Sequence, residues 1–229
     1  MIIAIHQPNY LPYLGFFDKM MKSDVFVIYD DAQFNKEDFH NRNKIRIYQG
    51  WKWLTVPVEK KLVPINQIKI RNELKNKGLN WSDEHLRLIE DNYRDTQYYC
   101  KYKEELKTIY TSDLGKIIDL NMQLIHFLRH TFNINTKLIF SSDLDLSSKG
   151  TQRLVEIVKT LDGDIYLSGE GGKNYLDVSL FTNKGIRVEF QKFNHPIYRQ
   201  RYEGFILNLS AIDALFNIGK FPVETNMLK

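Results

Sequence analysis

The chain has 229 residues, 43% of them hydrophobic and 26% charged, values that suit a globular core and exclude extended disorder. Its 32 basic and 28 acidic side chains leave a formal charge of +4 and are interspersed, which argues against a nucleic-acid partner and is compatible with an anionic small molecule. The single cysteine, Cys100, excludes an internal disulfide; no secretory leader pattern and no run of the ~20 apolar residues that span a bilayer is seen, so a cytoplasmic protein without membrane insertion is expected.

Residues 2–5 are apolar and mostly β-branched, which predicts a short buried strand. His6, Gln7, Asn9 and Tyr10 follow in a loop stiffened by Pro8 and Pro12. Leu14, Phe17, Met20 and Met21 then recur with helical spacing, and residues 25–29 read as a second strand. Strand, helix, strand is the plan of a parallel crossover unit, whose ligands gather beyond the carboxyl ends of the strands. That places His6, Gln7, Asn9 and Tyr10 after the first strand and Asp30 and Asp31 after the second on one edge. A stiffened surface loop with a structurally bonded His6 is the plainer alternative.

Asn41, Arg42, Asn43 and Lys44 set two amides and two cations side by side, suited either to gripping phosphate or carboxylate oxygens or to a solvated turn. WKWLTVPV at 51–58 predicts a strand with Trp51, Trp53 and Thr55 on one face, and residues 65–70 alternate as a partner strand. The stretch 74–135 reads as a helical insertion. Ser82 caps its first helix, with Leu86, Ile89 and Tyr93 facing one way; residues 98–110 form a second; Ser112 opens the longest. His126 and His130 stand four apart without the glutamate of an HExxH pattern, so no metal site is expected.

Alternation then returns. Residues 137–140 predict a strand, Leu154, Ile157, Val158 and Leu161 a helix, and 164–167 another strand. SGEGGKNYLD follows at once. Its Gly169, Gly171 and Gly172 allow backbone amides to approach an anion or make a tight turn, without the spacing of a Walker loop or a dinucleotide fingerprint; Tyr175 follows them. After a strand over 185–193, FNHPIYRQ supplies His195, Tyr198 and Gln200. Ser210 and Asp213 read as a capping pair of the last helix, which Gly219 and Pro222 end. The pattern is α/β: a Rossmann-like, mostly parallel sheet in one domain over 1–229, with a largely helical insertion over 74–135.

HQPNYLPYLGFFDKM, DVFVIYDDAQFNKEDFHNRNKI, YLSGEGGKNYLD, and FNHPIYRQ with LSAIDALFNIGKFP occur in this order and together resemble the WbqC-like protein family over nearly the whole chain. Tyr13 and Phe39 stand where relatives often have tryptophan, which keeps an aromatic plane. A looser likeness joins the opening unit to class I nucleotidyl- and aminoacyl-transferring enzymes, although their two closely spaced histidines are absent. Members of the WbqC-like family are typically encoded among genes for surface-polysaccharide assembly, O-antigen included. The resemblance therefore implies work on a nucleotide-linked sugar or on an amino or acyl substituent of one.

From residues and resemblance together, the expected activity is a transferase adding an aminoacyl or acyl group to a nucleotide-linked amino sugar, with no cofactor specified. His6 acts as general base or polarises the donor carbonyl, and Asp30 or Asp31 orients His6 or a substrate hydroxyl or amine. Asn9, Arg42, Lys44 and the glycine loop hold phosphates, and Tyr10 or Tyr175 stacks on a ring. Gln7, Asn41, Asn43, His195, Tyr198 and Gln200 complete the expected substrate contacts. A non-catalytic sugar-nucleotide-binding or scaffold protein and a sugar nucleotidyltransferase are the alternatives. Homodimerisation through the long helices stays open.

Overall fold

The computed structural model describes residues 1–73, 75–76 and 78–222. In chain order its strands and α-helices are β1 (Ile2–His6), α1 (Leu14–Met21), β2 (Val25–Ile28), β3 (Arg42–Ile47), β4 (Gly50–Thr55), the short β5 (Lys75–Asn76) and β6 (Leu79–Asn80), α2 (Trp81–Tyr93), α3 (Tyr99–Thr111), α4 (Ile117–Thr131), β7 (Lys137–Phe140), α5 (Gly150–Thr160), β8 (Ile165–Ser168), α6 (Val178–Thr182), β9 (Arg187–Phe190) and α7 (Ile212–Ile218). They fall into two compact units. The first takes Met1–Gln7, Gly15–Ala32 and Ile134–Asn194; the second takes Pro8–Leu14, Gln33–Asn133 and the described part of His195–Lys229. The helices expected over 74–135 thus share the second unit with the β3–β4 hairpin and α7. Leu74, the first residue of that expected stretch, lies outside the described residues.

The first unit is the expected α/β sheet. Its five strands are all parallel and run β7-β2-β1-β8-β9. The chain winds outward from β1 through β2 to β7, crosses back to β8 beside β1, and continues outward to β9. The order therefore reverses between β1 and β8, the place where doubly wound sheets open a ligand crevice. One face of the sheet carries Ile3, Ile5, Val25, Val27 and Tyr166 against Leu154, Ile157 and Val158 of α5 and Phe181 of α6. On the other face Phe26 meets Phe16 of α1 edge-on at 5.0 Å. Coverage on both faces explains why β2 is apolar throughout rather than alternating. Each fully buried Val, Ile or Phe here contributes about 1.5–3 kcal/mol. Lys19 departs from the pattern: it is buried in α1, its ammonium donates to the Ile5 carbonyl at 2.8 Å, and burial pulls its pKa down to about 7.

In the second unit, three local expectations give way to different solutions. Asn80, not Ser82, caps α2, with its side-chain oxygen accepting from the Asp83 N–H at 2.8 Å; both residue types cap well, and the register of the buried His85, Ile89 and Tyr93 decides between them. α4 starts at Ile117 rather than at Ser112, because residue 117 is where its buried stripe begins. Residues 65–70 form no strand. Pro64 opens a single 3-10 turn over Ile65–Gln67, and Ile65 and Ile68, three apart, are both fully buried.

Asp213 corrects a fourth expectation. It caps nothing; its fully buried carboxylate accepts from the hydroxyls of Tyr93 (2.9 Å) and Tyr198 (2.8 Å) and from Gln200 Nε2 (3.0 Å). Burial lifts its pKa from 3.8 to about 6 against the pull of these donors. Between those values the folded chain keeps a proton that the unfolded chain has released, so this group's stabilising contribution falls as pH rises. The expected loss is on the order of 3 kcal/mol. In urea denaturation, the stability of the wild type relative to Asp213→Asn should decline by roughly 2 kcal/mol of this from pH 4 to pH 7, since at pH 4 the unfolded carboxyl is already more than half ionised. A pH-independent difference contradicts it.

Candidate functional site

Because the five strands of the first unit are parallel, their carboxyl ends share one edge, and each apolar run gives way there to polar residues. His6 and Gln7 end β1, Asp30 and Asp31 follow β2, Ser141 and Ser142 follow β7, Ser168 to Gly172 close β8, and Gln191 follows β9. The two sides of the reversal point are the His6–Gln7 end and the Ser168–Gly172 turn, on hydrogen-bonded neighbours in register from Ile2↔Ile165 to Ala4↔Leu167.

His6 is the last residue of β1 and half-buried. Its ring packs against Phe16 at 4.9 Å, edge to face, and over Phe26 at 6.4 Å. Nδ1 lies 2.9 Å from the Gln7 carbonyl. A carbonyl only accepts, so Nδ1 carries a hydrogen; in the neutral ring that assigns the lone pair to Nε2.

Asp30 and Asp31 are held from the neighbouring strand. Asp30 is buried, and its carboxylate accepts from the Ser142 N–H (3.1 Å) and Ser142 Oγ (2.8 Å); Ser141 Oγ, whose one hydrogen goes to Asp31, lies 3.1 Å away. Asp31 accepts from Ser141 Oγ and pairs with the guanidinium of Arg153, which also donates to the Leu146 carbonyl. Arg153 is 6% exposed in the first turn of α5. The network locks β2, β7 and α5 together at the rim. Beside it stand three phenols, Tyr29, Tyr166 and Tyr175; burial raises the pKa of Tyr29 and Tyr166.

The glycine segment forms a 3-10 turn over Glu170–Asn174, entered from the fully buried Ser168. The three glycines differ. A Cβ on Gly172 would run into Ser168 Oγ and Leu176 Cδ1, so glycine there is a packing requirement. Gly169 and Gly171 have open space where a Cβ would be and no positive φ, so backbone strain does not require glycine and an incoming group can come close to the main chain. Tyr175, 69% exposed, stands at the end of this turn. On the far side of β8, Gln191 Nε2 donates to the Gly15 carbonyl (2.8 Å) and to Asp18 (2.7 Å), tying the end of β9 to the start of α1.

The remaining sequence-predicted site residues belong to the second unit, where most are structural ties. Tyr10 is wholly buried, its hydroxyl bonded to His85 (2.8 Å) and Tyr110, so its ring presents no face for stacking. Asn9 is buried as well. Asn43 donates to the carbonyls of Tyr10 (3.3 Å) and Leu11 (2.7 Å), Asn121 donates to that of Pro8 (3.0 Å), and together they clamp a loop in which Leu11 has a φ of +43°. Asn41 donates to the Val56 carbonyl at 2.8 Å. Residues 42–47 are strand β3, not a turn, with Arg42 and Lys44 on the tryptophan side of the hairpin. Tyr198 and Gln200 anchor an irregular segment on Asp213, and His195 donates from Nδ1 to the Pro196 carbonyl at 3.0 Å.

Ser141, Ser142, Ser168 and Arg153 were not singled out from the sequence. The serines had a readable signal, since Ser141 and Ser168 directly follow predicted strands and Ser142 comes next after Ser141. Arg153 had another: it occupies the apolar stripe of α5 beside Leu154 and Ile157, where an unpaired guanidinium would be costly. Among the described residues, no cluster of three or more His, Cys, Asp or Glu side chains could hold a metal, and no helix is long and apolar enough to cross a membrane.

The profile of the WbqC-like protein family matches residues 7–224. A relative from Mycobacterium tuberculosis (strain ATCC 25618 / H37Rv), described as uncharacterized protein Rv1507c, is 35% identical over 219 residues, 95% of this chain and 94% of its own length. No solved structure matches.

Proposed function

The chain belongs to the WbqC-like protein family, and from that premise we propose that it is a transferase of surface-polysaccharide precursor synthesis, adding an aminoacyl or acyl group to the amine of a nucleotide-linked amino sugar. One observation carries this reading: His6 and the Ser168–Gly172 turn leave adjacent parallel strands on the two sides of the point where the strand order reverses. Diphosphate oxygens approach the main chain at Gly169 and Gly171, where no side chain stands in the way. The exposed ring of Tyr175 stacks on the base.

His6 then acts on the sugar amine. Its Nε2 accepts the proton that the amine nitrogen sheds as it attacks the donor carbonyl, while Nδ1 stays bound to Gln7 and the donor's leaving group departs as the new C–N bond is completed. Asp30, Asp31 and Arg153 position the neighbouring rim through Ser141 and Ser142. The test is incubation with UDP-linked amino sugars, amino acids, ATP and acyl donors, followed by mass spectrometry. A sugar nucleotide heavier by one aminoacyl or acyl group supports the reading. Thermal stabilisation by the sugar nucleotide with no new mass in any combination contradicts it in favour of a binding protein.

A further inference from the structure

The β3–β4 hairpin carries an aromatic and cationic face that the reading above does not use. In the antiparallel register Lys44 pairs with Trp53 and Arg46 with Trp51, so the odd positions of β4 and the even positions of β3 share one face. There the Lys44 ammonium sits 4.3 Å from the ring centre of Trp51 and 5.0 Å from that of Trp53, and the Arg42 guanidinium lies 4.8 Å over Trp53. Trp51 meets Trp53 at 82° and 5.7 Å, and Phe39 meets Trp53 at 6.0 Å. Trp51 and Phe39 are 44% and 43% exposed. Large aromatics gathered in the open around a cation are uncommon on a surface without a partner.

The cations differ in what they have left to give. Arg46 is buried and spends its terminal nitrogens on the carbonyls of Ile47, Gly50 and Glu203. Arg42 donates to the Glu37 carbonyl at 2.6 Å and has the Glu37 carboxylate 3.7 Å away. Lys44, half-buried between its indoles, has no hydrogen-bond acceptor and no carboxylate for its ammonium among the described residues. The face thus holds one positive charge in want of an anion, beside exposed aromatic rings.

We propose that this face is a binding subsite for an acidic sugar unit, whose carboxylate meets Lys44 while the C–H face of its pyranose ring lies on the indole of Trp51. The inference stands independently of the transferase reading. Single-stranded nucleic acid fits less well. It brings a charge with every nucleotide and wants several free cations and successive parallel stacking faces, whereas one cation is free here and the two indoles are perpendicular.

The experiment is isothermal titration of the full chain with trigalacturonic acid, neutral maltotriose and a ten-residue oligothymidylate at the same low salt, with tryptophan fluorescence as a second readout. The acidic trisaccharide should bind and quench. Lys44→Gln should weaken it at least tenfold and erase its advantage over maltotriose. Trp51→Ala should remove binding of both sugars, with unfolding temperatures near the wild type's because Trp51 lies on the surface. Lys52, which pairs with Ile45 on the opposite face, serves as control, and Lys52→Gln should change nothing. No binding of trigalacturonic acid by the wild type, unchanged binding by folded Lys44→Gln, or tighter binding of the oligothymidylate than of the acidic sugar would each overturn the proposal.

Discussion

Replacing His6 with alanine lowers turnover on a nucleotide-linked amino sugar by a factor on the order of 10²–10⁴, the usual contribution of a positioned general base. The fold survives, because the side chain is only half-buried, at the last position of β1, and the strand's own backbone pairing does not depend on it. Affinity for the sugar nucleotide changes little, since the imidazole addresses the amine and not the diphosphate. The kinetic signature is therefore a fall in kcat with KM nearly constant, checked beside an unfolding temperature close to that of the wild type. An equal loss of binding and turnover would assign His6 to substrate holding. Unchanged kcat would remove it from the chemistry.

Arg153→Met costs about 3 kcal/mol of stability, the low end of the range for breaking a buried ion pair. The arginine is 6% exposed and bridges Asp31 to the Leu146 carbonyl, so its loss leaves a carboxylate short of its cation and a carbonyl short of a donor. The low end applies because the Asp31 side chain is 23% exposed and keeps the Ser141 hydroxyl. Double substitution with Asp31→Asn should recover part of the loss, because the stranded charge is then gone. Urea denaturation of the two single variants and the double variant measures this. Additive losses would mean that the two side chains do not act as a pair.

Elements that rest on a local signal were legible in the sequence. The runs at 2–5, 25–29, 137–140, 164–167 and 185–193 gave the five parallel strands, and the spacing of Leu14, Phe17 and Met20 gave α1 with its observed bounds. Local signals failed where two readings use the same residue types. Asn80 and Ser82 are both good caps, and the two isoleucines at 65 and 68 suit an alternating strand less well than the turn that buries both. The rim was legible only in part. His6 and the glycine turn could be placed on one edge because each follows a strand, but the partners of Asp31 lie 110 and 122 residues away, and nothing near residue 31 announces them. Tyr10 and Asn43 misled for a related reason. Their donors and acceptors suit a ligand as well as they suit a neighbouring loop, and only burial separates the two uses.

Crystallography of the protein with a UDP-linked amino sugar tests the central claim most directly. The diphosphate should lie within hydrogen-bonding distance of the main chain at Gly169 and Gly171, with the amine of the sugar about 3 Å from Nε2 of His6. Density for the sugar nucleotide confined to the second unit, with the ends of β1 and β8 untouched at saturating ligand, would contradict it.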